Sequence, residues 1–374
     1  MATMNYLTQC TFDFGALAQT PKVLKAQGVT RPFVVTDPGL KANGLLDRLL
    51  AALGAEPAGV FTDTPANPTE SATRLAAEAY RAAGADGVIA FGGGSSMDLA
   101  KAMALMATHE APFERYGGSK RGMKFITKIP PLIAIPTTAG TGSEVSPGAV
   151  VILDNGMKET FVSAHLVPAA AICDPELTLG LPPMLTAATG MDAMTHCIEA
   201  VLSPIVHPPA EAIGVDGAER IGVWLERAVA DGADRDARWH MMMGSFEGAL
   251  AFAKGLGAVH GLSHALGRIH ELKLHHGTLN AIILPHALAM IGAAAEEKFT
   301  RLRRALGLSP GADLGQYIAD LNARIGLPPN LRAMGVSEEH GEAARPYAVA
   351  DLATLTNAIP FDDGKYGELF ARAL

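Results

Sequence analysis

The sequence has few of the features that mark secreted, membrane or nucleic-acid-binding proteins. Its three cysteines, Cys10, Cys173 and Cys197, are widely spaced and form neither a disulfide framework nor a cysteine-rich metal motif. The N-terminus lacks the basic start and apolar stretch of a signal peptide, and no apolar run reaches the length of a membrane span. The net charge is −8, and lysine and arginine form no extended run. We therefore expect a cytoplasmic protein without a nucleic-acid or membrane partner.

The pattern of apolar residues predicts an α/β domain followed by an all-helical domain. Hydrophobic residues make up 49% of the 374 residues, enough to bury two cores. Over 1–181, short apolar runs alternate with helical patterns, which favours a parallel, Rossmann-like sheet with helices on both faces. Within this part, 38–54 predicts one helix. Over 182–374 helical periodicity prevails and predicts a helical domain.

A glycine loop stands between a predicted strand and a helix. Its sequence is Phe91-Gly92-Gly93-Gly94-Ser95-Ser96. Glycines let a backbone approach an anion closely, and a helix N-terminus offers free N–H groups and the positive end of its dipole. The loop therefore predicts a pyrophosphate site, although it lacks the G-x-G-x-x-G fingerprint. A plain tight turn is the alternative.

Other polar residues of the first half also suit a nucleotide. Asp37 ends an early strand, where a carboxylate can bind a ribose and repel a 2′-phosphate, which favours NAD over NADP. An ordinary Asp-Pro-Gly turn is the alternative. The small hydroxyl residues of 137–143 can line a cofactor site, whereas Lys158 can reach a ribose or phosphate or be a surface lysine.

Histidines and one aspartate of the second half predict a metal site. Asp192 and His196 are four residues apart in a helical pattern, so they project from one face. Half of the twelve histidines lie in 253–286, among them His260 and His276. Three imidazoles and one carboxylate suit Fe(II), Zn(II), Co or Ni better than Mg or Ca. Separate helix histidines, each bonded locally, are the alternative.

Together these stretches resemble the iron-containing (group III) alcohol dehydrogenase family. The resemblance covers nearly the whole chain, through VVTDPGL, FGGGSSMDLAKA, IPTTAGTGSEVS, DPELT, TGMDAMTHCIEA, AVHGLSHALG and HHGTLNAIILPH. In these motifs the chain is most similar to the 4-hydroxybutyrate dehydrogenase branch. The resemblance implies a dinucleotide domain joined to a helical metal-binding domain, a fold related to that of dehydroquinate synthases.

The resemblance also implies roles for individual residues. The implied metal ligands are Asp192, His196, His260 and His276, with Fe(II) as the metal and Zn(II) as an alternative. His264 matches a family histidine near the nicotinamide and is expected to relay a proton. The implied positions for the cofactor NAD are Asp37, Asn67, Gly93, Gly94, Ser95, Asp98, Thr137, Thr138, Thr141, Ser143, Lys158 and Thr178.

Two departures from the family pattern bear on the site. The stretch between His260 and His276 is slightly longer than in typical short-chain-alcohol members, so His275 rivals His276 as a ligand. Lys254 stands where many members carry an uncharged residue, and a cation near the metal would suit a substrate with an anionic far end. Arg268 is a second candidate for that cation, and both can equally be surface residues.

The expected function is metal-dependent hydride transfer between NAD(H) and a primary alcohol or aldehyde. The favoured substrate is an ω-hydroxy acid such as 4-hydroxybutyrate, and a general short-chain alcohol or polyol dehydrogenase is the alternative. A non-enzymatic metal- or nucleotide-binding protein would predict a missing ligand or an added partner-binding segment. The family also implies a homo-oligomer, a dimer or larger.

Overall fold

The computed structural model describes residues 8–374, which form two compact units. One unit contains the residues up to Thr138 together with Gly142–Thr178. The other contains Ala139–Thr141 and Leu179–Leu374. That 1–181 and 182–374 fold as independent domains stays a prediction.

All strands of residues 8–374 lie in the first unit. Six of them form one parallel sheet, and two form an antiparallel hairpin. Their bounds are β1 (Gln9–Phe12), β2 (Pro32–Val35), β3 (Gly59–Phe61), β4 (Gly87–Gly92), β5 (Leu132–Pro136), β6 (Gly148–Ile152), β7 (Lys158–Val162) and β8 (Ala170–Cys173).

The parallel sheet has the order β1-β8-β5-β4-β2-β3 and is buried on both faces. Consecutive residues of a strand point to opposite faces. In β2, Phe33 and Val35 join one apolar core, whereas Val34 joins the core on the other face. This arrangement explains why the strands appear in the sequence as continuous apolar runs. The predicted α/β fold is confirmed, but β1 was not predicted.

The helices of the first unit connect the strands and cover the sheet. Their bounds are α1 (Thr20–Ala26), α2 (Pro38–Ala42), α3 (Leu45–Leu53), α4 (Glu70–Ala82) and α5 (Gly94–Thr108). The prediction of a single helix over 38–54 is wrong, because this stretch forms two helices, α2 and α3, with a turn between them. Gly44 has φ +82°, a left-handed conformation that glycine adopts without strain and that ends the helical path.

After β8 the described residues form helices and loops only, as predicted. The helices are α6 (Pro183–Leu202), α7 (Pro208–Ala230), α8 (Arg235–Ala251), α9 (Ala258–Leu266), α10 (His276–Ile291), α11 (Glu296–Ala305), α12 (Leu314–Arg324), α13 (Glu338–Ala350) and α14 (Asp363–Ala373). Aspartates cap several of them at the N-terminus, as Asp234 does for α8 by accepting a hydrogen bond from the Ala237 N–H.

Two of these helices are apolar around most of their circumference. In α6 every residue from Thr186 to Leu202 is buried. By length and composition alone, His276–Ala305 would suffice to cross a membrane, but 67% of its apolar window is buried inside the protein. Burial therefore identifies this stretch as part of the core. The expectation from the sequence that no apolar stretch is long enough to span a membrane is therefore wrong for His276–Ala305, and it is the burial of this stretch that distinguishes it.

Candidate metal centre and cofactor loop

Helix α6 supplies two of the predicted ligands from one face. Asp192 and His196 are both buried, and the His196 Nε2 lies 3.8 Å from the Asp192 Oδ1. Helix α10 approaches α6 closely at Gly277. A Cβ atom there would overlap the Ala188 carbonyl oxygen, so only glycine lets the first turn of α10 lie against Asp192.

Three predicted histidine ligands converge on one carboxylate oxygen of the fourth, Asp192. The Asp192 Oδ1 lies 3.7 Å from the Nε2 of His260 on α9 and 3.5 Å from the Nε2 of His276 on α10. Ligand atoms of Asp192, His196 and His260 all lie within 4.8 Å of one another. His275, the rival of His276, is exposed at the N-cap of α10 and contacts Thr278. The geometry therefore brings His276 into the cluster.

The side chain of Asn280 supports the assignment of a cation site. Its amide Nδ2 lies 2.7 Å from the Asp192 Oδ1, 3.2 Å from the His260 Nε2 and 3.1 Å from the His276 Nε2. The partly positive amide group of Asn280 thus lies within hydrogen-bond distance of three of the four predicted ligand atoms. The buried Asn280 Oδ1 has no hydrogen-bond partner among the described residues. Lone pairs of three imidazoles and one carboxylate fit a transition metal such as Fe(II) or Zn(II).

Burial and mutual contact set the charges of this cluster. Burial raises the pKa of Asp192, but the nearby His196 and His276 outweigh it, so the pKa lies well below its ordinary value. Burial lowers the pKa of His196 to about 4, so its ring is neutral at neutral pH. For His260, burial is outweighed by hydrogen bonds to Asp192 and Glu199, which raise the pKa to about 9. Binding a cation at His260 therefore releases a proton.

His264 lies beside the cluster on α9. Its ring stacks on His276 with centroids 5.1 Å apart, and its side chain is 25% exposed. The His264 Nδ1 is 3.0 Å from the Asp351 Oδ2. Burial raises the pKa of Asp351, but the neighbouring His264 outweighs it, and the net pKa is lowered. An ionised Asp351 only accepts, so Nδ1 carries the proton. No sequence motif marked Asp351.

Lys254 does not have the environment predicted for it. Its ammonium is buried, donates to the carbonyl oxygens of Val201 and Ser203, and forms an ion pair with Glu211 at 2.9 Å. These contacts contradict the predicted catalytic and anion-binding role. Lys254 instead compensates the carbonyl groups at the C-terminus of α6. Arg268 lies with its Cζ 3.9 Å from the centroid of the Tyr347 ring.

The glycine loop forms the predicted strand–turn–helix. Gly92 has φ +147°, a region that favours glycine, and Gly93 is the N-cap of α5. Because Gly93 has no side chain with which to cap the helix, the first N–H groups of α5 suit an anion. Asp37 caps α2 by accepting from the Leu40 N–H, and its Oδ2 accepts from the Ser96 hydroxyl.

Several predicted cofactor side chains use their polar atoms within the protein. Asp98 accepts from the Ser143 hydroxyl at 2.9 Å and from the Val150 N–H at 3.0 Å. The Ser95 hydroxyl donates to the Ala66 carbonyl, and the Thr178 hydroxyl to the Pro175 carbonyl. These bonds give the residues a structural role. The remaining positions are partly buried for Asn67, Thr138, Thr141 and Lys158, and buried for Thr137.

A buried lysine that the sequence analysis did not single out supports the same region. The Lys101 ammonium donates to the carbonyl oxygens of Ser143, Ser146 and Gly148 and to the Ser143 hydroxyl. Burial lowers its pKa to about 8. Burial also raises the pKa of the neighbouring Glu144 to about 7. Only the position of Lys101 on the buried face of α5 signals this role, since its residue type predicts exposure.

Family models match most of the chain. Residues 8–175 match the model described as iron-containing alcohol dehydrogenase. Residues 186–374 match the model of the C-terminal part of the Fe-containing alcohol dehydrogenase family.

Individual relatives agree with the family models. The chain is 49% identical to 4-hydroxybutyrate dehydrogenase of Cupriavidus necator over 365 residues, which are 96% of each chain. It is 33% identical to 1,3-propanediol dehydrogenase of Citrobacter freundii over 387 aligned positions, 99% of this chain and 98% of the relative.

Solved structures show the same fold over the full length. A crystal structure of 1,3-propanediol oxidoreductase superimposes with a TM-score of 0.93 at 30% identity and covers 100% of both chains. The NAD⁺ complex of sulfoacetaldehyde reductase from Bifidobacterium kashiwanohense gives a TM-score of 0.90 at 28% identity, covering 100% of this chain and 98% of that one. This chain belongs to the iron-containing alcohol dehydrogenase family and is an NAD-dependent oxidoreductase.

Proposed function

We propose that this protein interconverts an ω-hydroxy acid, such as 4-hydroxybutyrate, with its semialdehyde, using NAD(H) and Fe(II). The observation that carries the proposal is the 49% identity, over nearly the whole chain, to a 4-hydroxybutyrate dehydrogenase. The convergent cluster of Asp192 and three histidines supports the use of Fe(II), because three imidazoles and one carboxylate suit that metal.

Asp192, His196, His260 and His276 would hold the metal. The bound cation would act as a Lewis acid on the substrate oxygen and lower the pKa of the alcohol. Asp192 supplies the negative charge of the site, and its low pKa keeps it ionised across the physiological range. His196 is neutral and offers its Nε2 lone pair without first losing a proton.

His264 would carry the proton of the alcohol to and from solvent. Its Nδ1–H is held by Asp351, which leaves Nε2 to exchange a proton. Because its side chain is partly exposed, His264 can exchange protons with water. His260 is deeply buried and lacks this exposure.

The glycine loop would bind the pyrophosphate of NAD through the backbone of Gly93 and Gly94 at the start of α5. Asp37, at the start of α2, would accept from the ribose hydroxyls, as its position after β2 suggests. The side chains of Asp98, Ser143 and Thr178 would support the neighbouring loops, because their bonds lie within the protein.

Arg268 is the remaining candidate for the cation that binds the carboxylate of the substrate. It follows α9 directly, and its guanidinium lies over Tyr347, one helical turn before Asp351, the partner of His264. Arg268 and His264 thus contact the same part of the chain. A guanidinium can bind a carboxylate with two parallel hydrogen bonds.

The test compares 4-hydroxybutyrate with 1-butanol, which has the same chain without the carboxylate. NADH formation is followed by its absorbance after anaerobic loading with Fe(II). We expect a strong preference for the acid, lost in Arg268→Ala because KM for the acid rises, and kept in the control Arg304→Ala, which removes an exposed arginine of α11. Equal or better turnover of 1-butanol by the wild type would instead establish a general alcohol dehydrogenase.

Two finer expectations from the sequence, a cytoplasmic location and a homodimer, stay predictions. Size-exclusion chromatography with light scattering measures the second of them.

A further inference from the structure

Glu199 lies on the same face of α6 as two of the metal ligands. Asp192, His196 and Glu199 are spaced four and then three residues apart, and all three are buried. Among the described residues, the imidazole of His260 is the only ionisable group in an ion-pair contact with Glu199. The Glu199 Oε2 lies 2.6 Å from the His260 Nδ1. Burying a carboxylate costs free energy unless the carboxylate is paired and hydrogen-bonded. The contacts of Glu199 therefore indicate why an acidic residue is buried here.

Both oxygens of Glu199 meet the first turn of α9. The Oε1 accepts from the Val259 N–H at 2.8 Å, and the Oε2 meets the ring of the next residue, His260. Gly257, the N-cap of α9, makes no side-chain cap of its own. A Cβ at Gly257 would come within 2.7 Å of the Glu199 Oε1, so glycine leaves room for the carboxylate. Glu199 therefore holds both the backbone N–H of Val259 and the imidazole of His260.

The bond to Nδ1 decides which nitrogen of His260 faces the metal site. As a carboxylate, Glu199 can only accept, so Nδ1 must carry the proton. Nε2, the nitrogen 3.7 Å from the Asp192 Oδ1, is then the one that gives up its proton and binds a metal.

We propose that Glu199 is a positioning residue of the metal centre, which locks the tautomer and ring orientation of His260 and strengthens it as a donor. The inference rests on the metal site of the proposed function. A carboxylate behind a metal-binding imidazole raises its basicity, and loss of such a partner costs about 10–100-fold in metal affinity.

A purely structural role for Glu199 makes a different prediction, and the chain offers a matched control for it. Asn357 accepts from the Ala258 N–H at 2.9 Å, so it also caps α9 by a side chain from elsewhere in the chain. No described contact joins Asn357 to the imidazole of His260. Asn357→Ala therefore removes a cap of the same helix and leaves the partner of the metal ligand in place.

The experiment titrates metal-free protein with Co(II) in competition with a chelating dye. We expect Glu199→Gln to weaken Co(II) binding by about 10–100-fold and to shift the ligand-field absorption bands. Asn357→Ala should lower the melting temperature but leave both the affinity and the bands as in the wild type. Unchanged affinity in Glu199→Gln, or equal weakening in Asn357→Ala, would overturn the proposal.

A second measurement needs no variant. In histidine-labelled wild-type protein loaded with Zn(II), nitrogen NMR should show the His260 proton on Nδ1 and protected from exchange. A proton on Nε2 would overturn the proposal even if Glu199→Gln did not fold. A wild type that binds neither metal would instead contradict the proposed function itself, so the two failures are distinguishable.

Discussion

The metal centre and the glycine loop use their polar residues in opposite ways. In the second unit, four side chains turn their donor atoms toward one another, and the nearest oxygen–nitrogen distances are 3.5–3.8 Å. In the first unit, Asp98 and Thr178 bond to other parts of the protein, and the backbone of α5 is left to meet a ligand. A ligand site made of side chains can thus be recognised in the sequence from its residue types. A site made of backbone groups can be recognised mainly from the residues that support its loop.

The most severe test of this difference compares one aspartate from each region. Asp192→Asn should remove the metal and lower kcat/KM by about 10³-fold or more, because Lewis-acid stabilisation is worth several kcal/mol. Asp98→Asn should keep the metal and lose far less activity, since its carboxylate bonds to Ser143 and Val150. Metal analysis and steady-state kinetics of both variants measure this. Equal metal loss in both would break the comparison.

Lys254→Ala tests whether the buried ammonium is structural. Its loss leaves the buried Val201 carbonyl oxygen without its donor, while Glu211 keeps Arg301 and the Ser203 carbonyl keeps Lys298, so the fold should be destabilised by about 1–3 kcal/mol. The preference for 4-hydroxybutyrate over 1-butanol should not change. Urea denaturation measures the first effect and the ratio of kcat/KM values the second. A selective rise in KM for the acid would restore the role predicted from the sequence.

Glu144→Gln tests the electrostatics of the first unit. Burial raises the pKa of Glu144 from 4.5 to about 7, so the folded state binds more protons than the unfolded state between these values. Its contribution to stability is therefore present at low pH and falls as the pH rises through this window, by up to about 3 kcal/mol. Denaturation at about pH 5 and about pH 8 should show a smaller loss of stability in Glu144→Gln than in the wild type. Parallel curves would contradict the prediction.

Asp37→Ser should give the smallest effect, on cofactor choice. Serine can still cap α2 by accepting from the Leu40 N–H, so the fold should be kept. Loss of the carboxylate should raise KM for NAD by about tenfold and improve the use of NADP. The ratio of kcat/KM for the two cofactors is the readout. An unchanged ratio would show that Asp37 only caps the helix.

The sequence predicted the parts of the site that depend on local spacing. Asp192 and His196 were paired because four residues make about one helical turn, and the structure has them on one face of α6. The choice between His275 and His276 depends on where α10 begins. The structure makes His275 the N-cap and His276 the first helical residue, which turns His276 toward Asp192.

Contacts between distant residues could not be predicted in this way. Lys254 looked like a free cation, because its partners Glu211, Val201 and Ser203 lie more than 40 positions away. Asp351 and Glu199 are ordinary acidic residues in the sequence, and only the fold brings them to His264 and His260. The strand β1 was missed because it has only four residues, which are at most half-buried and include few apolar side chains.

The central claim is that Asp192, His196, His260 and His276 together bind the metal, and Co(II) binding to His276→Ala and His275→Ala tests it most directly. We predict that the wild type and His275→Ala show the same ligand-field bands and affinity. His276→Ala should lose more Co(II) affinity than the roughly 10–100-fold expected when only the hydrogen-bond partner of a ligand, such as Glu199, is removed. Wild-type binding in His276→Ala, or its loss in His275→Ala, would contradict the account.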